Sequence, residues 1–140
     1  MAIEFHDLPK ELNSNELIKQ INTFIKQKGG VIDKLSISFV KREIMAAVHQ
    51  QFLDNYETDT MTFNYGTIDN IISEVFISPW FVKRSAEALG VPYRDELLRV
   101  VGHGVLHSMG YKDYSEKEKE RMRILEDEFI NLIQSSENNS

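Results

Sequence analysis

Two periodicities divide the chain into stretches predicted to be helical and stretches predicted to be extended. Apolar residues recur every three or four positions in five stretches, which is typical of helices with one buried face. In three shorter stretches apolar and polar residues alternate, or apolar residues run together, which is typical of strands. The predicted helices are residues 15–28, 42–53, 79–90, 92–109 and 115–134, and the predicted strands are residues 34–40, 60–65 and 71–78.

Local signals support several of these boundaries. The pair Gly29–Gly30 ends the first helix. Ser78 followed by Pro79 begins the third helix, because serine caps a helix and proline suits its first position. Ser115 and Glu118 have the spacing of a capping box at the start of the last helix. Helices packed against a small mixed sheet make an α+β fold, and the strand at 60–65 is expected at or near a sheet edge because its second face is polar.

Length and composition favour one domain. A chain of 140 residues can bury its own core, so residues 1–140 are expected to form a single domain with a frayed polar tail at 135–140. The absence of cysteine excludes thiol chemistry and fits a reducing compartment. No signal peptide is evident, and no apolar run approaches the ~20 residues that span a bilayer. We therefore expect a cytoplasmic protein with no membrane partner, and no pattern specifies its oligomeric state.

The charge balance limits the contacts that the chain can make with nucleic acid. The formal net charge is −6, whereas proteins that depend on non-specific phosphate contacts are usually basic. Any nucleic-acid contact must therefore be local. The cationic candidates are Lys83, Arg84, Arg94 and Arg99, although each of them taken singly is more typical of a solvated helix face.

The segment from His103 to Asp113 contains a metal-ligand pattern. His103 and His107 are four positions apart, so both imidazoles lie on one face of a helix. Gly110 can end that helix in a left-handed conformation, and Asp113 can then turn back as a third ligand. Two imidazoles and one carboxylate leave coordination positions open, which favours a catalytic metal over a structural one. The alternative is that both histidines simply pack against a neighbouring element.

The ligand types indicate which metals to expect. Zn²⁺ suits two imidazoles and a carboxylate. A carboxylate in place of a third imidazole lowers the positive charge of the site, so it acidifies water less and also favours Mn²⁺, Fe²⁺ or Co²⁺. Two histidines and one carboxylate also form the facial triad of non-haem iron oxygenases. No other part of the sequence indicates a place for dioxygen or a cosubstrate.

The pattern H-x3-H-x2-G-x2-D resembles the metal helix of zincin peptidases, but it has Gly104 where those enzymes carry their general base. A metallopeptidase would therefore lack its base. Residues 103–111 are more similar to the H-G-x-L-H-x-x-G-Y signature of the YbeY family. Residues 58–63, TDTMTF, are similar to the T-D-V-L-S-F strand of that family, and residues 73–78, SEVFIS, to its G-D-I-x-I-S strand. The order and spacing of these blocks agree over roughly residues 35–130.

This resemblance implies a zincin-like fold with the metal on a central helix. It also implies a metal-dependent, single-strand-specific endoribonuclease in ribosomal RNA maturation and quality control, with RNA and the small ribosomal subunit as partners. Two departures stand out. Asp113 takes the place of the family's third histidine. Residues 50–55 lack the arginine that the family tends to have in this region. The missing arginine and the acidic net charge motivate an alternative, a ribosome-assembly binding factor with a mainly structural metal.

Three further residues are candidates for catalysis. Arg99 lies one turn before His103 and can either balance phosphate charge or pair with Asp95 or Glu96 on its own helix.

Glu74 and Asp59 are the other two, and they occupy positions that the resemblance matches to carboxylates of the family. Each can orient a ligand histidine or accept a proton, and each can equally brace the end of a strand.

Overall fold

The computed structural model of the protein describes residues 2–52 and 59–138, which contain four β-strands and five α-helices. None of these helices is both long enough and apolar enough to cross a membrane. In chain order the elements are β1 (Ile3–His6), α1 (Ser14–Gln27), β2 (Ile32–Phe39), α2 (Arg42–Phe52), β3 (Thr60–Asn64), β4 (Ile71–Ile77), α3 (Pro79–Leu89), α4 (Tyr93–Ser108) and α5 (Glu116–Asn138).

The strands form one mixed sheet in the order β1-β2-β4-β3. β1 pairs with β2 and β2 pairs with β4 in parallel, whereas β3 pairs with β4 antiparallel. The predicted α+β class is confirmed, and so is the edge position of the strand at 60–65. β1 was not predicted, because four residues are too few to show a period and only Ile3 is fully buried.

The α4 helix lies between the sheet and α5, and two glycines allow the close approach. A Cβ at Gly104 would lie 2.6 Å from Val75 Cγ1 on β4, and a Cβ at Gly102 would lie 2.8 Å from the Phe129 ring on α5. Phe129 in turn meets Phe24 of α1 edge-to-face, with ring centroids 5.4 Å apart. Most of the α4 surface is therefore buried. Packing against the sheet on one side and α5 on the other determines the position of the helix.

The polar face of β3 is turned toward α4. Thr60, Thr62 and Asn64 share the sheet face of Val75, since Thr62 pairs with Val75 across the ladder. The Asn64 side-chain amide donates to the carbonyls of His107 and Ser108, at 3.0 and 3.2 Å. These carbonyls end α4 and have no partner within the helix, so Asn64 anchors the helix end that bears His107.

The predicted helix starts are confirmed, and the helix ends agree less closely. The Ser78 hydroxyl accepts from the Phe81 amide, and Ser115 and Glu118 form the reciprocal bonds of a capping box, at 2.9 and 3.1 Å. The α5 helix runs to Asn138, four residues beyond the predicted end. Residues 135–138 of the expected frayed tail are therefore helical. The predicted end of the second helix, residue 53, lies outside the described residues.

Candidate metal centre

His103 and His107 project from one face of α4, as their spacing predicts. Their Nε2 atoms are 3.0 Å apart and their ring centroids are 4.5 Å apart. The helix closes with a Schellman motif: the Gly110 amide donates to His107 O and the Tyr111 amide to Leu106 O, with Gly110 at φ +100°. This reversal returns the chain to the histidines, so Asp113 Oδ2 lies 3.4 Å from His103 Nε2 and 3.5 Å from His107 Nε2.

The three ligand atoms fit a single divalent cation. All three lie within 4.8 Å of one another. Zinc–ligand bonds of ~2.0–2.1 Å in tetrahedral geometry separate neighbouring ligand atoms by roughly 3.3 Å, which agrees with the observed spacings. The side chains are 23%, 24% and 32% exposed, so one side of the group is open to solvent. Open access is what a metal that must meet a substrate requires.

The outer ring nitrogens determine how the imidazoles are oriented. His103 Nδ1 lies 2.7 Å from Glu126 Oε2, and His107 Nδ1 lies 2.9 Å from the Tyr111 carbonyl. Both partners are acceptors, so both Nδ1 atoms carry the hydrogen and donate. The two Nε2 lone pairs then face each other and the Asp113 carboxylate. Three acceptors that converge in this way need a cation or a proton between them.

The two imidazoles are electrostatically different. Burial opposes charge on His103, but the hydrogen bond and charge of Glu126, together with the charges of Asp113 and Asp59, outweigh burial and raise the pKa of His103. Burial and the neighbouring His103 lower the pKa of His107, against the opposing charge of Asp113. The three converging acceptors need a positive charge between them. In the metal-free protein a proton on His103 supplies it, and in the loaded site a divalent cation would supply it.

Arg99 acts on the metal centre indirectly. Its guanidinium pairs with Glu126 Oε1 at 3.1 Å and Asp127 Oδ1 at 2.8 Å, both on α5. Neither Asp95 nor Glu96 is its ion-pair partner, so the alternative of a pair within α4 is replaced by pairs with α5. Arg99 therefore holds Glu126, and Glu126 holds the ring of the ligand His103 in its orientation.

Glu126 is the residue that sequence reasoning missed. It lies 23 positions beyond His103 and carries no motif, so only the packing of α5 on α4 brings the two together. One signal was present. Glu126 falls within the buried stripe of α5 formed by Met122, Leu125 and Phe129, and a carboxylate there requires a partner.

The structure separates the two predicted strand carboxylates. Asp59 precedes β3, and its carbonyl accepts from the Ser78 amide at 2.9 Å. Burial raises the pKa of the Asp59 carboxyl, and the charge of His103 opposes that rise, so this carboxyl lies within electrostatic reach of His103. Glu74 lies on the other face of the sheet, because its neighbours Ser73 and Val75 point toward α4. The structure does not bring Glu74 to the metal centre.

A second buried carboxyl lies near Asp59. Burial, and then the charge of Asp59, raise the pKa of Glu96 on α4. Asp59, Glu96 and Glu126 thus form a group of interacting carboxyls, of which Glu126 touches the ligand His103. The charges of Arg99 and Arg123 favour the ionised form of Glu96.

Comparisons with known proteins agree with this picture. The family model described as Endoribonuclease YbeY matches residues 3–134. The Endoribonuclease YbeY of Porphyromonas gingivalis is 35% identical over 119 residues, 84% of this chain and 79% of that protein. The Endoribonuclease YbeY of Cytophaga hutchinsonii is 38% identical over 119 residues, 84% of this chain and 83% of that protein.

A solved structure shares the fold. The solution structure of TM1509 from Thermotoga maritima superposes with a TM-score of 0.72 and 22% identity, over 98% of this chain and 92% of that chain. At that identity the likeness shows the fold alone.

An α+β fold in which two histidines and an aspartate converge at the end of the central helix defines a zincin-like protein with a candidate metal centre. Together with the match over residues 3–134, this shows that the chain belongs to the endoribonuclease YbeY family. The resemblance seen in the three sequence blocks is confirmed.

Proposed function

We propose that this protein is a metal-dependent endoribonuclease that cuts single-stranded RNA in the cytoplasm during ribosomal RNA maturation and ribosome quality control. The observation that supports the proposal is the convergence of His103, His107 and Asp113 in a chain of the YbeY family. On this proposal RNA and the small ribosomal subunit are its partners, and residues 1–140 act as one domain.

His103 and His107 would hold the cation through Nε2, and Asp113 would hold it through Oδ2. A divalent cation supplies polarisation of a phosphoryl oxygen and acidification of a water molecule. We propose Zn²⁺, with Mn²⁺, Fe²⁺ or Co²⁺ as the other candidates, because an aspartate is a harder ligand than the histidine it replaces. The exposed side of the three ligands leaves room for a phosphodiester.

Asp59 is the group best placed to move a proton. Its carboxyl lies within electrostatic reach of His103, and burial brings its pKa closer to neutrality, where a carboxyl is more effective as a general acid or base. Arg99 is a positioning residue in this proposal, because its donors are engaged by Glu126 and Asp127. Glu74 takes no part, since it lies across the sheet.

Cleavage of an end-labelled, single-stranded RNA tests the proposal, with each divalent metal supplied in turn to metal-free protein. We expect cleavage by the wild type, and at least about 100-fold less for His107→Ala and Asp113→Ala. Lys112→Ala is the matched control, because Lys112 is exposed and adjoins the ligand Asp113. The same RNA annealed to its complement should remain uncut. Failure of every metal to support cleavage would overturn the proposal.

One observation favours the assembly-factor alternative, in which the metal is mainly structural. The centre joins three segments, since His103 bonds to α5 through Glu126 and both histidines meet Asp113 beyond the helix end. A cation there would brace the fold as well as meet a substrate. In that case chelation unfolds the protein, and binding to small-subunit particles needs no turnover.

The peptidase alternative is weakened further by packing. Gly104 occupies the position of the zincin general base, and it faces Val75 on the sheet rather than the ligands. A glutamate at that position would enter the core.

A further inference from the structure

An exposed tryptophan lies among arginines at the start of α3. The Arg42 guanidinium carbon is 4.0 Å from the Trp80 ring centroid, and that of Arg84 is 4.9 Å from it. Trp80 is 37% exposed. A guanidinium stacked on an indole is held in one plane, and its N–H edge points away from the ring. We call Lys41, Arg42, Trp80, Lys83 and Arg84 the Trp80 patch.

The charge of the patch stands out against that of the molecule. The chain has a net charge of −6, yet four cations lie at or directly before the first two turns of α2 and α3, and two of them, Arg42 and Arg84, contact Trp80. Glu43 and Glu87 are the acidic residues on these two helices. Among the side chains that the structure describes, no carboxylate lies within ion-pair distance of Lys83 or Arg84.

The other cationic candidates from the sequence are engaged in the fold. Arg94 pairs with Glu137 and donates to the carbonyl of Glu11, and Arg99 pairs with Glu126 and Asp127. Among the described residues, Lys83 and Arg84 of the Trp80 patch are therefore the two sequence-predicted cations without a carboxylate in ion-pair distance.

The patch follows the C-terminal ends of β2 and β4, and Asp59 links this end of the sheet to His103. The parallel strands β2 and β4 end at Phe39 and Ile77, directly before α2 and α3. The backbone carbonyl of Asp59 accepts the amide hydrogen of Ser78, and the carboxyl of Asp59 lies within electrostatic reach of His103. Trp80 follows Ser78 by two residues, which is at most ~7.6 Å between Cα atoms. A strand of nucleic acid that extends from His103 past Asp59 leads toward this patch.

We propose that the Trp80 patch binds the sugar-phosphate backbone of single-stranded RNA and leads it to the metal centre. The identity of the ligand rests on the proposed function. Arg84 meets phosphate oxygens with its planar N–H edge, which matches a phosphate in two-point contacts. Lys83, Lys41 and Arg42 add positive charge alongside. An acidic protein surface is the competing partner, but a regular row of phosphates beside a candidate nuclease centre fits four clustered cations better.

Binding is measured separately from cleavage. A fluorescein-labelled single-stranded RNA of about 12 nucleotides is titrated with the full-length chain in EDTA, and its anisotropy is followed between about 50 and 200 mM salt. Lys83→Ala/Arg84→Ala removes two cations, and Lys19→Ala/Lys26→Ala on α1 is the matched control of equal charge. Trp80→Ala removes the support of both guanidinium groups, Trp80→Phe keeps an aromatic face, and the exposed Tyr65→Ala is the aromatic control.

The expected results are quantitative. Each phosphate of a single strand that is no longer neutralised by a cation lowers the slope of log K against log salt by about 0.7, so the Lys83/Arg84 variant should show a slope smaller by about 1.4. Trp80→Ala should bind about tenfold more weakly, and Trp80→Phe should stay within about threefold of the wild type. The two controls should bind as the wild type does, and the melting temperature of each variant shows that it is folded.

The outcomes separate this inference from the proposed function. Patch variants that are folded and bind RNA like the wild type would overturn the inference, and so would a wild type that binds no RNA. His107→Ala in EDTA should bind RNA through the patch although it cannot cut. Patch-dependent binding without any cleavage by the wild type would support the patch and contradict the nuclease. Cleavage without patch-dependent binding would do the reverse.

Discussion

Among single side chains, Glu126 has the largest effect on how the ligands are arranged. Its two oxygens join His103 Nδ1 to Arg99, so one ligand ring is fixed from behind by a charged pair. His107 is fixed by a backbone carbonyl instead, which no substitution of a side chain removes directly. The two ligands therefore differ in how far mutation can disturb them.

Replacing Glu126 tests this arrangement. Glu126→Gln removes the negative charge that accepts the Nδ1 hydrogen of His103, and we expect the affinity for Zn²⁺ to fall by roughly 10- to 100-fold. Asp127→Asn is the matched control, because Asp127 also pairs with Arg99 but does not touch His103. Competition with a chromophoric chelator measures both affinities. Equal affinities in the two variants would show that Glu126 does not support the ligand.

The metal affinity should depend on pH through His103. The metal binds the neutral imidazole, and the pKa of His103 is raised above its ordinary 6.5. Affinity should therefore be constant above the pKa of His103 and should begin to fall, about tenfold per pH unit, at a pH above 6.5. The pKa of His107 is lowered, so only one proton should compete in this range.

Glu126→Gln supplies the comparison for that pH profile. Loss of the Glu126 charge lowers the pKa of His103, so the fall in affinity should move to lower pH. Metal titrations at a series of pH values, made on both proteins, measure the two profiles. A decline that starts at the same pH in both proteins would contradict the assigned cause.

The ligands could be predicted from the sequence, and their support could not, for a physical reason. His103, His107, Gly110 and Asp113 lie within one helix turn and one reversal, so local geometry brings them together. Glu126 reaches His103 only because Phe129 packs against Gly102 and sets the distance between α4 and α5. Contacts that depend on packing between distant segments leave no spacing in the sequence.

At the level of elements, α4 depends on its glycines for its place between the sheet and α5. Gly104→Ala would place a methyl group 2.6 Å from Val75 Cγ1, and overpacking of this kind destabilises by about 1–3 kcal/mol. The higher helix propensity of alanine offsets about 1 kcal/mol. We expect the free energy of unfolding to fall by up to about 2 kcal/mol in chemical denaturation.

The double variant Gly104→Ala/Val75→Ala is the control for this prediction. Removing the Val75 methyl groups makes room for the new methyl at position 104, so the double variant should be more stable than the sum of the single changes implies. Additive losses would show that the alanine at 104 does not meet Val75.

Element prediction was most accurate where a helix has strong end signals. The cap at Ser78 and the capping box at Ser115 mark helix starts by local hydrogen bonds, and both are present. The short β1 was missed because its partner strand is β2, and the paired residues, such as Ile3 and Leu35, are 32 positions apart in the chain. The polar side of β3 faces α4 because Asn64 has helix carbonyls to bind there, which alternation alone does not reveal.

At the scale of the whole molecule, the apolar core and the metal centre are distinct. The buried cluster extends from α1 through the sheet and α4 to α5, and it does not include the three ligands. We therefore expect the protein to remain folded in EDTA, with an unchanged far-ultraviolet circular dichroism spectrum.

Metal should nevertheless stabilise the fold. Binding at about 100 times the dissociation constant contributes about 2.7 kcal/mol, which for a chain of this size raises the melting temperature by roughly 5–20 °C. The rise should be absent in His107→Ala. Loss of the folded signal in EDTA would favour the structural-metal alternative over a catalytic one.

The net charge of the molecule indicated how strongly the chain as a whole attracts nucleic acid, but it did not indicate where the positive charges lie. A value of −6 predicted that contacts with nucleic acid would be local. It did not show which cations are engaged by carboxylates, as Arg94 and Arg99 are, and which lie at the Trp80 patch. Charge distribution depends on the tertiary fold, whereas the sum depends on composition alone.

The metal content of the purified protein tests the central claim most directly. After loading with Zn²⁺ and removal of free metal, elemental analysis should find about one equivalent per chain in the wild type and almost none in His107→Ala. His6→Ala is the matched control, because His6 is exposed on β1 and should leave the metal in place. Zinc retained by His107→Ala, or none bound by the wild type, would contradict the account.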